Sequence, residues 1–312
     1  MDIKHVLKYG IKLLTSYHIR FNYLASKGFY DKMSDREFLI KLYKANKGKN
    51  LDIDNPKSLN EKLQWIKLYD HNPVYTEISD KYAVRDYVKK KIGEEYLVPL
   101  IGVWDNPDDI DFDALPNQFV LKCNHNSGKG MCICRDKSKL DIEKAKKNLQ
   151  KGLEQDFYLV SREWQYKNIK RRIIGEKYLS ALDSGDLLNY KIFCFAGEPK
   201  IINISCNMVT HDDVKFSFLT TDWKRYPFIR KGYKEFDPLP PEPKNKEKML
   251  ELARILSKDF YFMRVDLYEI GDKIYFSELT LEPCGGYSPI YPDEWDYKIG
   301  EWLTLPPKEE VE

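Results

Sequence analysis

The sequence predicts an α+β protein, in which a helical N-terminal region precedes a strand-rich region. Apolar residues recur at helical spacing up to about residue 91, whereas short alternating or continuous apolar runs dominate from residue 96 onward. The chain has 312 residues, of which 42% are hydrophobic and 32% are charged. This composition can form a folded core, and it excludes an intrinsically disordered or collagen-like chain. The length corresponds to about two domains.

The charge balance argues against nucleic acid as a partner, and the lack of long apolar runs excludes a transmembrane protein. The chain has 51 Lys and Arg residues against 49 Asp and Glu residues, and the net charge of +2 gives no overall signal for nucleic acid. No stretch approaches the roughly 18 consecutive apolar residues of a membrane span. The N-terminus lacks the continuous apolar core of a secretory signal. We therefore expect a cytoplasmic protein that binds no nucleic acid.

Six cysteines are present, and no two of them form a Cys-x-x-Cys pair. That absence argues against a zinc site. Cys132 and Cys134 alternate within a short apolar run, as residues on one face of a strand do. We expect all six cysteines to be reduced, buried thiols.

The N-terminal segment has two interpretations, which both stay open at this stage. Val6, Leu7, Ile11 and Leu14 recur at helical spacing, with lysines between them. A basic amphipathic helix of this kind can bind the inner face of a membrane or another protein. The alternative is an ordinary helix that packs on the body of the molecule.

Three further helices are predicted from their caps and their apolar spacing. Ser34 is a candidate N-cap for a helix that ends near Asn46. Ser58 caps the next helix, and Glu61 stands at the capping-box position three residues later. The third helix covers residues 76–91.

The rest of the chain predicts strands, two more helical segments and a hairpin. The predicted elements are a short buried strand at 96–104, a strand–turn–strand unit at 118–134, a basic helical segment at 141–172, strands at 177–182, 189–197, 199–206 and 214–221, an exposed connection at 237–248, a helix at 246–259, and two antiparallel strands within 260–286 that are joined at Gly271-Asp272.

A lysine followed by a glycine-bearing loop is the first candidate for chemistry. Lys122 ends a predicted strand and can point its ammonium at a phosphate, while the small residues from Asn126 to Gly130 free backbone N–H groups to bind anionic oxygens. The loop is not a P-loop, because no Ser/Thr and no helix follow Gly128-Lys129. A plain hairpin is the alternative.

Two carboxylates and a hydroxyl on the predicted hairpin form the second candidate. Asp266 and Glu278 lie on paired strands, and Thr280 follows on the second strand. Hard oxygen ligands of this kind suit Mg²⁺ and leave positions for phosphate oxygens. Arg264 shares a face with Asp266 by the two-residue period, so its guanidinium could meet phosphate charge. Cross-strand ion pairing is the alternative.

The order of these motifs along the chain resembles the ATP-grasp superfamily. Asp80-Lys81 is followed by YLVP, by FVLK with the glycine loop, by Glu-Lys-Tyr-Leu at 176–179, by Arg-x-Asp and by Glu-x-Thr, between residues 75 and 290. More narrowly, SLNEKLQWIKLYD, SDKYAVRDYV, FVLKCNHNSGKG, NYKIFCFAGEPK and ELTLEPCGG resemble the TupA-like ATP-grasp family. That family is associated with bacterial surface and capsular polysaccharide biosynthesis.

The resemblance implies an ATP-grasp fold, in which two α+β lobes hold ATP between them behind an N-terminal helical extension. The implied boundaries are 1–55 for the extension, 56–118 for a preceding region, 119–175 for the lobe with the glycine loop and a helical insertion, 176–305 for the C-terminal lobe with the metal site, and 306–312 for a tail. Within the insertion, residues 141–172 are either a cap that binds the acceptor or a solvated lid helix.

The resemblance also implies a role for each motif residue. The implied nucleotide-binding residues are Lys81, Lys122, Asn126, Ser127, Gly128, Lys129, Gly130, Glu176, Lys177, Tyr178 and Leu179. The implied catalytic residues beside the phosphates are Lys191 and Arg264. The implied magnesium ligands are Asp266, Glu278 and Thr280. The superfamily often has Asn where this chain has Thr280, and a threonine hydroxyl is a weaker ligand.

The activity that the resemblance implies is carboxylate–amine ligation with ATP and Mg²⁺. A substrate carboxylate takes the γ-phosphoryl group, and an amine then displaces phosphate to form an amide. The implied partners are the carboxylate of an acidic sugar or glycan and an amine or amino acid.

Three other functions remain open. One is a glycosyltransferase, for which Asp52-Ile53-Asp54 and Asp111-Phe112-Asp113 fit an Asp-x-Asp pattern. The second is a nucleotide-binding protein without turnover, which only Thr280 favours. The third is a kinase that phosphorylates its acceptor and stops there.

Overall fold

The computed structural model describes residues 14–180, 187–206 and 213–308. The helices are α1 Tyr17–Ser26, α2 Asp35–Lys47, α3 Leu59–Tyr69, α4 Val74–Ser79, α5 Val84–Lys91, α6 Ile142–Leu153, α7 Tyr158–Ser161, α8 Lys246–Ser257 and α9 Glu294–Gly300. The strands are β1 Leu100–Trp104, β2 Phe119–Cys123, β3 Met131–Cys134, β4 Ile173–Lys177, β5 Asn189–Phe195, β6 Glu198–Cys206, β7 Lys215–Leu219, β8 Ile229–Arg230, β9 Phe262–Ile270, β10 Lys273–Thr280 and β11 Ile290–Tyr291.

The strands form three antiparallel sheets. The four-stranded sheet has the order β1-β4-β2-β3, the five-stranded sheet has the order β10-β9-β5-β6-β7, and β11 pairs with β8. Helix α6 packs on β2 and β3, and α8 packs on β5, β6 and β9. The helices at the N-terminal end and these sheets together form the α+β architecture that the sequence predicts.

The two predicted caps are confirmed. The Ser34 side chain accepts a hydrogen bond from the Glu37 amide at the start of α2. Ser58 and Glu61 form the complete capping box of α3, because each side chain accepts a hydrogen bond from the other residue's backbone. These signals are local in sequence, and tertiary contacts do not override them here.

The helix predicted at 76–91 is wrong as one element. The chain forms α4 and α5, with a break from Asp80 to Ala83. Asp80 Oδ1 accepts a hydrogen bond from the Tyr82 amide at 2.8 Å, and the Lys81 amide donates to the Asn124 carbonyl at 3.1 Å. The break therefore joins Lys81 to the end of β2.

Two strand predictions need correction. Residues 96–104 do not form a buried strand, because β1 covers only 100–104 at the edge of its sheet, where Leu100 keeps 36% exposure. The strand predicted at 177–182 is displaced, since β4 ends at Lys177 and residues 178–180 lie beyond it. Residues 181 and 182 lie outside the described residues.

The cysteine prediction is wrong at one position. Five cysteines are buried, whereas Cys284 is exposed. Cys284 lies in the irregular turn Pro283–Gly286 after β10, where its φ is +55°. A turn that reverses the chain here cannot bury every side chain that it carries.

The N-terminal interpretations are not resolved, because Val6, Leu7 and Ile11 lie outside the described residues, as does the tail after residue 308. Leu14 is 80% exposed. In the part of the chain that the structure describes, no helix combines the length and apolarity of a membrane span.

One face of the five-stranded sheet changes from apolar to charged along its strands, and this change positions the site. Phe195 and Phe262 are directly opposite on β5 and β9 and belong to a buried aromatic cluster. Four residues away on the same face, Lys191 is opposite Asp266. The charged end of this face is the place where a ligand can be bound.

Candidate functional site

Three charged residues form a row across the five-stranded sheet. Lys191 on β5 is directly opposite Asp266 on β9, and Asp266 is directly opposite Glu278 on β10. The next row pairs Arg264 with Thr280. The hairpin prediction is confirmed with this register, because β9 and β10 are antiparallel on either side of Gly271-Asp272. Register alone brings both carboxylates and both cations to one face.

The two cations bind the two carboxylates directly. Lys191 Nζ lies 2.8 Å from Asp266 Oδ2, and Arg264 Nε donates to Asp266 Oδ1 at 2.6 Å. Arg264 Nη2 also donates to Glu278 Oε1. Asp266 is fully buried and Arg264 keeps 8% exposure. Buried charges need partners of opposite charge, and Asp266 and Arg264 both have them.

The cations control the ionisation of Glu278. Burial raises the pKa of Glu278, but the positive charges of Arg264, Lys191 and Lys81 outweigh that effect and lower the pKa to about 2. Burial likewise lowers the pKa of Arg264, but the negative charges of Asp266 and Glu278 outweigh it and raise that pKa. The site therefore holds both charges across the neutral pH range.

The donor set fits Mg²⁺. Asp266, Glu278 and the Thr280 hydroxyl are hard oxygen donors, and Mg²⁺ commonly takes one or two carboxylates together with phosphate oxygens and water. Among the described residues, no group of three or more His, Cys, Asp or Glu side chains could hold a metal alone. Thr280 Oγ1 donates to Glu278 Oε1 at 3.1 Å, so its hydroxyl already has a hydrogen-bond acceptor within the site.

Lys122 on β2 brings positive charge from the four-stranded sheet, and Lys81 brings it from the break between α4 and α5. Lys81 Nζ donates to the Asn126 carbonyl. Burial lowers the pKa of Lys81, and the charges nearest to it include Glu278 and Lys122. Lys122 Nζ lies 2.6 Å from Glu176 Oε2. These two lysines therefore converge with the carboxylate row from elements outside the five-stranded sheet.

The glycine loop has a short exposed tip between two fixed ends. Asn126 is buried, and its Nδ2 donates to the Gly152 carbonyl at 3.1 Å. Gly130 has a φ of +66°, and a Cβ there would meet Cys123 Sγ at 2.5 Å. The tip consists of Ser127, Gly128 and Lys129, and all three are exposed. Of the five predicted loop residues, three are therefore exposed and two are held by contacts within the chain, and closure over phosphates stays a prediction.

The segment from Glu176 to Leu179 leaves a strand and does not enter one as the sequence suggested. Glu176 lies in β4, and its Oε1 is 3.4 Å from Arg85 Nη1. Lys177 is exposed, and its amide donates to the Pro99 carbonyl at 3.0 Å. Tyr178 lies under the Arg135 guanidinium at 6.0 Å. The segment is placed beside Lys122, and an adenine contact stays a prediction.

Asn124 positions a residue of the site, and the sequence analysis assigned it no role. It is fully buried, its Nδ2 donates to Asp80 Oδ1 at 2.8 Å, and its Oδ1 accepts from the Arg172 amide at 2.7 Å. Its carbonyl accepts from the Lys81 amide. Asn124 thereby holds the break that carries Lys81. The only sequence signal is an asparagine directly after a strand.

A second cluster that the sequence did not indicate lies behind the turn Pro283–Gly286. Lys67 Nζ donates to Gln64 Oε1, to the Ser161 carbonyl and to the Gly285 carbonyl. Burial lowers the pKa of Lys67 to about 8. Burial and the negative charge of Glu163 raise the pKa of Glu282 to about 8, although Lys67 opposes them. These buried groups hold the turn that follows β10.

The helical insertion at 141–172 is anchored to the rest of the chain, and its role as an acceptor-binding cap or as a lid stays a prediction. It consists of α6, α7 and the short turn Trp164–Tyr166. Trp164 stacks on His71 at 4.9 Å between ring centroids, and Gln165 Nε2 donates to Glu282 Oε2 at 2.6 Å. Lys170 pairs with Asp105 at 3.0 Å. Its aromatic and basic side chains are used within the chain.

The two Asp-x-Asp patterns are turns. Asp54 pairs with Arg36 at 2.6 Å, and Asp52 Oδ1 accepts from the Asn55 amide. Asp111 Oδ1 accepts from the Asp113 amide. The middle residues, Ile53 and Phe112, are buried. Neither pattern presents two free carboxylates to a sugar nucleotide.

Comparison with known proteins gives one family. The model of the family described as TupA-like ATPgrasp matches residues 61–304. A comparison with curated proteins finds no match.

Solved structures similar to this chain include two ligases and a synthase. The D-alanine–D-alanine ligase from Bacillus anthracis complexed with ATP is 17% identical with a TM-score of 0.40, over 73% of this chain and 63% of that chain. The ligase of that name from Helicobacter pylori is 14% identical with a TM-score of 0.43, over 80% and 70%. The carboxyaminoimidazole ribonucleotide synthase from Aspergillus clavatus, complexed with ATP, is 12% identical with a TM-score of 0.39, over 66% and 45%. The chain thus spans less than two thirds of the B. anthracis ligase.

Proposed function

This chain belongs to the TupA-like ATP-grasp family, and from that premise we propose that it is an ATP- and Mg²⁺-dependent carboxylate–amine ligase. The observation that carries the proposal is the row of Lys191, Asp266 and Glu278 with Arg264 beside it. It combines two ionised carboxylates with two cations on one sheet face, opposite Lys81 and Lys122. This is the charge pattern that a transferring phosphoryl group and its metal need.

In the proposed reaction, a carboxylate oxygen of the acceptor attacks the γ-phosphorus of ATP, and the bond to the β–γ bridging oxygen breaks. ADP leaves with that electron pair, and an acyl phosphate forms. An amine then attacks the acyl carbon, phosphate leaves, and the amine nitrogen loses a proton to form the amide. Atoms and charge balance with ATP, a carboxylate and an amine as the substrates.

The chain's own contribution is orientation and charge. Arg264, Lys191, Lys81 and Lys122 would bind the phosphate oxygens and stabilise the negative charge of the transition state. Asp266 and Glu278 would hold Mg²⁺, with Thr280 beside them, and the ion when bound supplies Lewis-acid stabilisation of the phosphates. The exposed tip Ser127–Lys129 would close over the nucleotide and exclude water from the acyl phosphate.

The substrates that we propose are the carboxylate of an acidic sugar or glycan and an amine or amino acid, within cell-surface or capsular polysaccharide synthesis. The family resemblance supports this context. A cytoplasmic location, with the N-terminal segment against a membrane or another enzyme of the pathway, belongs to the same proposal.

Hydroxylamine trapping tests the proposed function directly. The full chain is incubated with ATP, Mg²⁺, hydroxylamine and a panel of uronic acids and amino acids, and hydroxamates and ADP are measured by mass spectrometry. We expect ADP and a hydroxamate in equal amounts from at least one acid, and neither product with Asp266→Asn. A phosphorylated acceptor that resists hydroxylamine would identify a kinase instead. Binding of a nucleotide sugar with no effect of ATP would favour the glycosyltransferase.

A further inference from the structure

A cavity of about 310 Å³ extends from the phosphate-binding cations toward an aromatic wall. Lys191, Arg264 and Glu278 lie at one side of it, and Ser127 of the glycine loop also lines it. The volume is at the lower end of the roughly 300–1,000 Å³ of small-molecule sites. A compact acceptor that reaches the γ-phosphate would therefore occupy this cavity.

Arg230 lines the same cavity and differs from the other arginines near the site. Its guanidinium lies 4.6 Å from the ring centroids of both Phe216 and Tyr233. Within the described ranges it has no carboxylate partner, and its buried Nε has no hydrogen-bond partner. By contrast, Arg264 binds Asp266 and Glu278.

An unpaired guanidinium with a buried donor is costly unless something binds it. The two flanking rings fix its plane, which prepares its N–H groups for the two oxygens of a carboxylate or phosphate. Within the described ranges, no acidic side chain fills this role, which leaves the guanidinium available to an anionic ligand.

The wall between the two arginines is apolar. Phe193, Phe218 and Phe228 line it, and Phe218 packs on Phe228 with 4.9 Å between ring centroids. Such a surface suits a ring face or a short carbon skeleton and does not suit a further charge. The cavity therefore has an anion-binding group at each end and an apolar middle.

We propose that this cavity binds an acceptor with two anionic groups, and that Arg230 binds the group that does not react. The reacting carboxylate lies at the end with Arg264 and Lys191, and the body packs on Phe193 and Phe218. This inference rests on the proposed ligase function and makes its substrate class narrower. A second carboxylate and a phosphate share the required chemistry.

The test compares three probes of one carbon skeleton. D-glucuronate has only the reacting anion, D-glucarate adds a second carboxylate, and D-glucuronate 1-phosphate adds a phosphate. Binding of each probe to the full chain with Mg²⁺ and ADP is measured by calorimetry. We expect at least one dianion to bind about tenfold or more tightly than D-glucuronate, as a charge-assisted hydrogen bond predicts. The better dianion identifies the source of the anion.

Two variants assign that preference to Arg230. Arg230→Gln should remove it, and Arg230→Lys should retain part of it. The matched control is Lys231→Gln, because it makes the same charge change at the next, exposed residue, which does not line the cavity. Equal binding of the three probes, no binding of any, or an unchanged preference in Arg230→Gln would overturn the proposal.

Cys284 provides a readout that does not depend on turnover. It lines the cavity and is the exposed cysteine, whereas the other five are buried. The bound dianion should slow its alkylation by iodoacetamide at least threefold in the wild type and not in Arg230→Gln. Unchanged alkylation would contradict the placement of the dianion in this cavity.

The outcomes for the anion site and for the ligase function can be distinguished. If dianions bind through Arg230 but no hydroxamate forms, the anion site stands and the ligase proposal fails. If hydroxamate forms equally well in Arg230→Gln, the ligase proposal stands and the anion site fails.

Discussion

Glu278 and Glu282 are four residues apart, but their environments shift their pKa values in opposite directions. Glu278 keeps 42% of its side chain exposed and faces three cations, and its pKa is lowered to about 2. Glu282 is 2% exposed and lies near Glu163 and Lys67, and its pKa is raised to about 8. Partial burial of Glu278 and full burial of Glu282 both raise the pKa, so the charges around the two carboxyl groups decide the direction of the net shift.

This difference separates two tasks. An ionised carboxylate at 278 can bind a metal ion and balance Arg264. A carboxyl group at 282 that holds its proton more readily can accept the hydrogen bond from Gln165 and fix the turn at Pro283 without leaving an isolated charge. The same residue type thus serves the site in one strand and its support in the next turn.

The largest effect on ATP turnover is expected from substitutions that remove the carboxylates of Asp266 and Glu278. Asp266→Asn and Glu278→Gln should each lower ATP turnover at least about 100-fold, because each removes a proposed metal ligand and negative charge from the proposed phosphate site. Initial rates of ADP formation measure this. Asp272→Asn on the hairpin turn is the control, since it makes the same charge change at an exposed position. Turnover within threefold of wild type in Glu278→Gln would refute the metal assignment.

Removal of the cation behind the turn should act on stability. Lys67→Met leaves three acceptors without their donor and leaves Glu163 and Glu282 without a positive charge nearby. The free energy of unfolding should fall by about 3 kcal/mol, as measured by urea denaturation. Lys248→Met on the exposed face of α8 should change it by less than about 0.5 kcal/mol. Equal effects of the two variants would mean that the Lys67 cluster is not structural.

The dependence of stability on pH should differ between the two glutamates. The pKa of Glu278 is lowered from 4.5, so its contribution is present above pH 4.5 and is lost as the pH falls toward 2. The pKa of Glu282 is raised from 4.5, so its contribution is present below pH 4.5 and is lost as the pH rises toward 8. Glu278→Gln should therefore flatten the acid side of the curve, and Glu282→Gln the side between pH 4.5 and 8.

Urea denaturation from pH 2 to 9 of both variants and the wild type measures these slopes. Glu251→Gln, an exposed position on α8, serves as the control. If both variants flatten the same side of the curve, the contrast between the two environments is wrong.

The smallest effect concerns Thr280. Thr280→Val keeps the shape and removes the hydroxyl that donates to Glu278. Since a threonine hydroxyl is a weak ligand, turnover should fall less than about tenfold, which is roughly 1.4 kcal/mol. The Mg²⁺ concentration that gives half-maximal ADP formation should rise by a similar or smaller factor. A loss as large as that of Glu278→Gln would make Thr280 a main ligand.

The sequence predicted the features whose causes are local. The β9–β10 hairpin and the caps at Ser34 and Ser58 depend on residues within a few positions of one another. The break at Asp80 was missed because Asn124, which lies 44 positions away, determines it. Lys67 looked like one lysine of an amphipathic helix, and its partners at Ser161 and Gly285 are 94 and 218 positions away. Arg230 was missed for the same reason.

The most direct test of the central claim follows the oxygen of the acceptor carboxylate. An acid that gives a hydroxamate is labelled with ¹⁸O in both carboxylate oxygens, and the reaction with ATP and an amine is followed by mass spectrometry of the phosphate released. An acyl phosphate predicts one ¹⁸O atom in each phosphate and one in each amide. Unlabelled phosphate, or label in AMP, would contradict the ligase mechanism proposed for this site.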